Sequence, residues 1–353
     1  MTDLRDTFAA FRAENPKTRI RAAAHELGVS EAALVATGVD GDVIRLGAPD
    51  GGWRAILHEL KPLGRVMALT RNDACVHEKQ GVYDRVDTDL PHQMGQVLGE
   101  EIDLRLFCGR WASGFAVATP WDGAKDGLRR SLQFFDTYGD AVHKVFLTRK
   151  SDVAAYDAFV AAHALPEAEP LAVEPRPAPE AERPDAEVDA DAFLADWAAL
   201  EDVHDFFRLL HTHGVSRTQA LRLAEGRFTE AADPLAVRRA LEGAAETETP
   251  VMIFVGNRGA FQIHSGLVKK LVEHGPWFNV LDPGFNLHLD EAKIAGAWVV
   301  VKPTEDGDVT AVEAYDAAGE TIVQLFGKRK PGQTELEPWR EIIAGLPRLG
   351  AEA

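Results

Sequence analysis

The spacing of hydrophobic residues changes along this chain, and each change marks an element. In residues 16–37, the stretch Arg19-Ile20-Arg21-Ala22-Ala23-Ala24-His25-Glu26-Leu27 reads as a helix, Gly28 as a turn, and Ser30 with the nearby Glu31 as the cap of a second short helix. From 43 to 147 the period shortens. Apolar runs at 43–46, 53–57, 66–70, 103–107, 114–118, 131–135 and 142–147, separated by turn residues, predict antiparallel strands in meanders. The helical period returns at 200–214, where Val203, Phe206, Phe207 and Leu210 recur at i, i+3, i+4 and i+7. Asp202 can cap this helix and Gly214 can stop it in a left-handed conformation. His204 falls about 100° round from Val203, at the margin of the stripe.

The second half repeats the first. Val66-Met67, Asn72 and Gly81 match Val251-Met252, Asn257 and Gly266 at a common offset of 185. Asp136-x-x-Gly139 and Phe146-x-x-Arg149 match Asp316-x-x-Gly319 and Phe326-x-x-Arg329 at an offset of 180, and Leu27 to Ser30 precede His213 to Ser216 by 186. So small a drift over a whole half marks an internal repeat. The predicted fold is α+β, a tandem repeat of two similar units, each with N-terminal helices and a mostly antiparallel meander. The units are expected at 1–165 and 193–353. Residues 166–192, rich in Pro, Glu, Ala and Asp, cannot bury a core and are expected to form a linker.

With 353 residues, 46% hydrophobic and 27% charged, the composition is that of an ordinary soluble globular protein. No apolar run reaches 18 residues, and the first 20 mix Asp, Arg, Glu and Lys, so neither a membrane span nor a signal peptide is expected and the cytoplasm is the expected location. Cys75 and Cys108 form no CxxC or CxxCH pattern, which argues against a disulfide framework, a zinc ribbon and covalent haem attachment. The formal net charge of −18 repels phosphate backbones and anionic lipid. The helix-turn-helix outline near Leu27 therefore reads better as scaffold than as a DNA reader, and no nucleic-acid partner is expected. A haem-independent regulatory or interaction protein built on that segment is the alternative. Any anionic ligand would need a local basic cluster.

No single peptide is a catalytic signature: nucleophile elbow, phosphate loop and HExxH are all missing from the sequence. The differences between the two copies say more. His204 falls opposite Thr18, and Lys302 falls opposite the 115–120 stretch, so the second copy carries an imidazole and a lysine that the first lacks. That copy ends its last strand with Phe326-Gly327-Lys328-Arg329-Lys330, which is either a solvated strand end or the basic cluster an anion requires. In the first copy Asp103, Arg105 and Phe107 alternate onto one strand face, where Arg105 either lines a cleft or pairs with Asp103 or a neighbouring strand. Together these parts suit non-covalent b-type haem: a neutral imidazole for iron, aromatic walls for the ring, cations for two propionates, and a donor such as Arg105 on the far side. His211 lies seven residues beyond His204, about 10 Å along the axis, and is either an alternative ligand or a solvent-facing side chain.

These residues resemble the haem-binding proteins of bacterial haem uptake of the HemS/ChuS type, also called hemin-degrading factors or hemin transport proteins. The resemblance covers nearly the whole chain. It rests on Asp202-Val203-His204-Asp205-Phe206-Phe207, Phe254-Val255-Gly256-Asn257-Arg258-Gly259, Ala297-Trp298 through Lys302-Pro303-Thr304 with Asp306-Gly307, and Leu325-Phe326-Gly327-Lys328-Arg329. It implies His204 as axial ligand, Arg105 and Phe107 on the opposite face, and Lys302 and Arg329 near the propionates. Where relatives carry a tyrosine this chain has Phe326, which keeps an aromatic wall and removes a hydroxyl. The resemblance implies receipt of imported haem. It leaves two fates open: ring opening by this protein, in an oxygen-dependent reaction like that of a haem oxygenase, or delivery to a separate oxygenase. An importer is a further candidate partner.

Overall fold

Gly28 and Gly214 stop their helices alike. Each is left-handed, with φ of 65° and 60°, and each is followed two residues on by a serine, Ser30 or Ser216, whose hydroxyl accepts the backbone N–H three residues later. The same correspondence runs through the whole of this computed structural model, which describes residues 3–124, 126–165, 170–178, 181–329 and 332–349.

The chain divides into two units, residues 1–71, 77–177 and 256–262 in the first, and 72–76, 178–255 and 263–353 in the second. The first carries helices α1 (Leu4–Glu14), α2 (Ile20–Leu27), α3 (Glu31–Ala36) and α4 (Val153–His163). Its strands are β1 (Asp42–Leu46), β2 (Gly64–Arg71), β3 (Cys75–Gly81), β4 (Val86–Asp87), β5 (Met94–Leu98), β6 (Asp103–Phe107), β7 (Trp111–Pro120), β8 (Leu128–Asp136) and β9 (Ala141–Ser151). The second carries α5 (Ala190–Ala198), α6 (Phe206–His213), α7 (Arg217–Leu223), α8 (Ala236–Glu246) and α9 (Glu337–Ala344). With them come β10 (Thr229–Ala232), β11 (Val251–Gly256), β12 (Ala260–Gly266), β13 (Leu271–His274), β14 (Trp277–Asp282), β15 (Phe285–Asp290), β16 (Gly296–Lys302), β17 (Val309–Tyr315) and β18 (Thr321–Gly327).

Strand order is β1-β7-β8-β9-β2-β3 in one copy and β10-β16-β17-β18-β11-β12 in the other, so the tandem repeat is exact in topology. Its turns repeat atom for atom. The Asp136 and Asp316 carboxylates each accept two backbone N–H groups of their own turn, closed by left-handed Gly139 and Gly319. In the first unit the Asn257 amide donates to the carbonyls of Arg71 and Val142 at 2.9 Å each, and in the second Asn72 donates to the carbonyl of Ile322 at 2.7 Å.

Some expectations change. Residues 53–57 are not a strand but open a 3₁₀ helix, Trp53–Leu63, because the apolar positions that matter are Trp53, Ile56, Leu57, Leu60 and Leu63, buried at a helical spacing. The α2–α3 pair does not present a reading helix: Glu31, Ala32, Leu34 and Val35 of α3 are all buried. The proline-rich stretch is ordered at both ends. Glu174 donates its N–H to Thr137 at 2.8 Å in the first unit, while in the second Arg222 binds Glu182 at 2.6 Å and helix α5 begins at Ala190, inside the expected linker. Its residues 166–169 and 179–180 lie outside the described residues.

Each sheet buries both faces. In the second unit α8 and α9 cover one face with Ala240, Leu241 and Trp339, and α5 to α7 cover the other with Trp197, Phe206, Leu209 and Ala220 against Val300, Ala311 and Tyr315. Among the described residues no helix is long and apolar enough to cross a membrane.

Candidate functional site

His204 is built by a tight turn. Residues Val203–Asp205 form a single 3₁₀ turn that leads into α6. The Asp202 carboxylate caps the turn by accepting the His204 N–H at 2.8 Å, and the same oxygen lies 2.6 Å from the ring Nδ1. A carboxylate at that distance fixes the tautomer with the proton on Nδ1, which leaves the Nε2 lone pair free to bind. The imidazole is 85% exposed. The His204 backbone N–H, then its ring, and the charge of Arg329 hold the Asp202 carboxyl below the usual carboxylate range against the opposing effect of burial.

The 3₁₀ turn also shifts the phase of the stripe. Phe206, Leu209 and Leu210 face the core, whereas Phe207, placed in the stripe by a uniform helical period, is 79% exposed. His213 turns inward instead, 2.8 Å from Asp196 and edge-on to Phe193, while His211 is exposed on the last turn of α6.

Lys302 does not stand at a solvent rim. Its residue is only 4% exposed, with Nζ 4.6 Å from the Phe206 ring centre, 5.8 Å from that of Phe326, and 3.2 Å from the Glu313 carboxylate. Glu313 also accepts Arg217 through two bonds of 2.7 and 3.0 Å and the hydroxyl of Tyr315. Burial alone would raise the Glu313 carboxyl, but Arg217 and Lys302 outweigh it and hold it far below its ordinary value. Burial lowers the Lys302 ammonium, and Glu313 opposes that only in part.

Arg329 is half-buried. Its Nη1 lies 3.6 Å from Asp306, too far for a hydrogen bond, and makes none although it is buried. Phe326 meets Phe254 edge-on with ring centres 5.2 Å apart. Lys328 is exposed, and Lys330 lies outside the described residues. In the first unit the Arg105 guanidinium bonds the Asp103 carboxylate and the Leu104 carbonyl, and Phe107 packs edge-on against Phe261 at 6.1 Å. Arg105 is therefore in the paired state that strand alternation allowed.

Sequence reasoning read Asp202 only as a cap and missed Arg217, Glu313 and Tyr315. A signal was available: Ala311, Glu313 and Tyr315 share one face of an otherwise apolar strand, and a charge there demands a buried partner.

The haemin-degrading HemS.ChuX domain matches residues 28–163 and again residues 214–346. The chain belongs to the HemS family. It is 40% identical over 339 residues to the hemin transport protein HmuS of Yersinia pestis, covering 95% of this chain and 94% of that one. Its structure is similar to that of holo-PhuS, a heme-binding protein from Pseudomonas aeruginosa, with a TM-score of 0.92, 47% identity, and 98% and 99% of the two chains covered. It is also similar to ChuS, an E. coli heme oxygenase, with a TM-score of 0.84, 35% identity, and 96% and 99% covered. Both HemS matches begin at the left-handed glycine, Gly28 or Gly214. Thr18 and His204 each lie ten residues upstream of those starts. Of the two residues that distinguish the copies, His204 thus lies outside the matched HemS domain and Lys302 inside it.

Proposed function

We propose that the second unit binds haem, with His204 Nε2 as the ligand to iron, and that the protein receives imported haem and either opens the ring or hands it to an oxygenase. The observation that carries this is the Asp202–His204 pair, in which the carboxylate holds Nδ1 and leaves the exposed ring's Nε2 turned to a ligand. The surroundings fit the group. The buried Arg329 Nη1 has no hydrogen bond and can meet a propionate, and the exposed Phe207 ring, one turn after His204, can lie against a flat macrocycle. Haem, when bound, supplies the iron-centred oxygen chemistry; the chain supplies ligation, orientation and charge. Arg105 and Phe107 are proposed as further haem-binding residues, which would require Arg105 to leave Asp103. His211 is the proposed second ligand when His204 is absent. The proposal includes a cytoplasmic place, supported by a cysteine content of two that forms no disulfide-framework pattern.

Hemin titration followed through the Soret band tests the proposal. His204→Ala should shift the band and weaken binding by about tenfold or more. An unchanged spectrum and affinity would overturn the assignment. Adding a reductant and oxygen with catalase present then separates the two fates: loss of the band with release of a bile pigment means ring opening, and a persistent band means delivery.

A further inference from the structure

The counterpart of this site in the first unit lacks the imidazole and the lysine but keeps the aromatic and the arginine that close the last strand. Thr18 replaces His204, while Phe146 and Arg149 stand where the second unit has Phe326 and Arg329. Around them the first unit has built an arrangement of its own. The Arg129 guanidinium lies 4.3 Å from the ring centre of Phe146 and 5.7 Å from that of Trp121. Trp121, 46% exposed, rests on Gly123 so closely that an added Cβ would sit 2.3 Å from the indole. Arg149 holds that loop through two 3.2 Å bonds to the Gly123 carbonyl. Arg19 is near enough to repel Arg129, and with burial it outweighs the attraction of Glu78, so that Arg129 is held below its ordinary value.

An arginine stacked on an exposed indole and on a phenylalanine, with a second arginine holding the indole's loop, is a basic feature on a chain of net charge −18 that an anionic ligand could use. Flat guanidinium and aromatic surfaces stack on planar rings, and arginine binds carboxylates through paired bonds. We infer that the Trp121–Arg129–Phe146 stack, with Arg149, is a second binding site for a planar aromatic carboxylate of the porphyrin class, held by stacking and charge without a bond to iron. The ligand class is taken from the function proposed for the second unit, while the residues are those of the first alone.

Metal-free protoporphyrin IX, titrated into the full chain and followed by its fluorescence, tests this. Two molecules should bind per chain. Trp121→Ala and Arg129→Gln should each weaken one of them by about tenfold and leave the His204-dependent Soret feature of hemin in place. The dimethyl ester should lose binding at the Arg129 site. Trp121 is exposed, so its substitution tests the site even if Arg129→Gln perturbs folding. A stoichiometry of one, or two affinities that neither variant changes, would overturn the inference. Failure of the second-unit proposal would show separately, as hemin binding insensitive to His204→Ala.

Discussion

The Asp202 carboxylate binds His204 twice, through the backbone N–H at 2.8 Å and the ring Nδ1 at 2.6 Å, so one side chain sets both the turn and the tautomer. Asp202→Asn keeps a cap but loses the charge that favours a proton on Nδ1. Partners of this kind typically change metal affinity by about 10–100-fold, and hemin affinity is expected to fall within that range. Titration of Asp202→Asn beside His204→Ala checks it: Asp202→Asn should be the milder of the two, and equal affinity to the unmodified protein would remove the orienting role.

Glu313 sits at the centre of a buried network and Lys302 at its edge, and their substitutions should differ accordingly. Glu313→Gln leaves the half-buried Arg217 and the buried Lys302 without their counter-ion and should cost about 3 kcal/mol in urea unfolding. Lys302→Met leaves Glu313 paired with Arg217 and should cost about 1 kcal/mol or less. It should also leave the preference for hemin over its dimethyl ester unchanged, since the ammonium is enclosed by Phe206 and Phe326. Because the folded-state carboxyl of Glu313 is depressed, its contribution is present above the unfolded value of about 4.3 and is lost as pH falls below it.

Much of this fold was legible in the sequence because the repeat is carried by residues whose backbone roles are obligatory. Gly28 and Gly214 must be left-handed, and Asp136 and Asp316 must close their turns, so their offsets survive the divergence of everything else. Tertiary context was less legible. The 3₁₀ turn at 203–205 rotated Phe207 out of a stripe that assumed one helical period throughout. The enclosure of Lys302 was not legible, because its partners Arg217 and Glu313 lie 85 and 11 residues away, and nothing local shows that they converge. His204 stood out first at the margin of its apolar stripe and then by comparison with Thr18.

Phe207 offers a test that separates binding from stability. At 79% exposed it makes little contact with the core, so Phe207→Ser should change unfolding by about 0.5 kcal/mol or less. If the ring lies against bound haem, hemin affinity should nonetheless fall several-fold. Parallel urea melts and hemin titrations decide this. A variant that unfolds early would mean the ring is packed in solution, and one that binds hemin normally would remove Phe207 from the site.

His143 contributes to the pH dependence of the first unit. It is buried, with Nδ1 3.0 Å from the Thr70 hydroxyl, Nε2 2.5 Å from the Tyr83 hydroxyl, and the Trp111 ring stacked beside it. In the neutral ring one nitrogen donates to its hydroxyl partner and the other accepts from its own, so both contacts are satisfied without a charge. Burial pushes the imidazole down to about 3. The unfolded chain therefore binds a proton that the folded chain refuses between about pH 6.5 and 3, and stability falls by up to about 1.4 kcal/mol per unit as pH drops through that window. His143→Gln removes this titration. Its urea midpoint should be lower than that of the unmodified protein at pH 7 and should decline less steeply from pH 6.5 to 4. Equal slopes for the two proteins would mean that His143 is protonated in the folded state and that its bonds to Thr70 and Tyr83 rearrange.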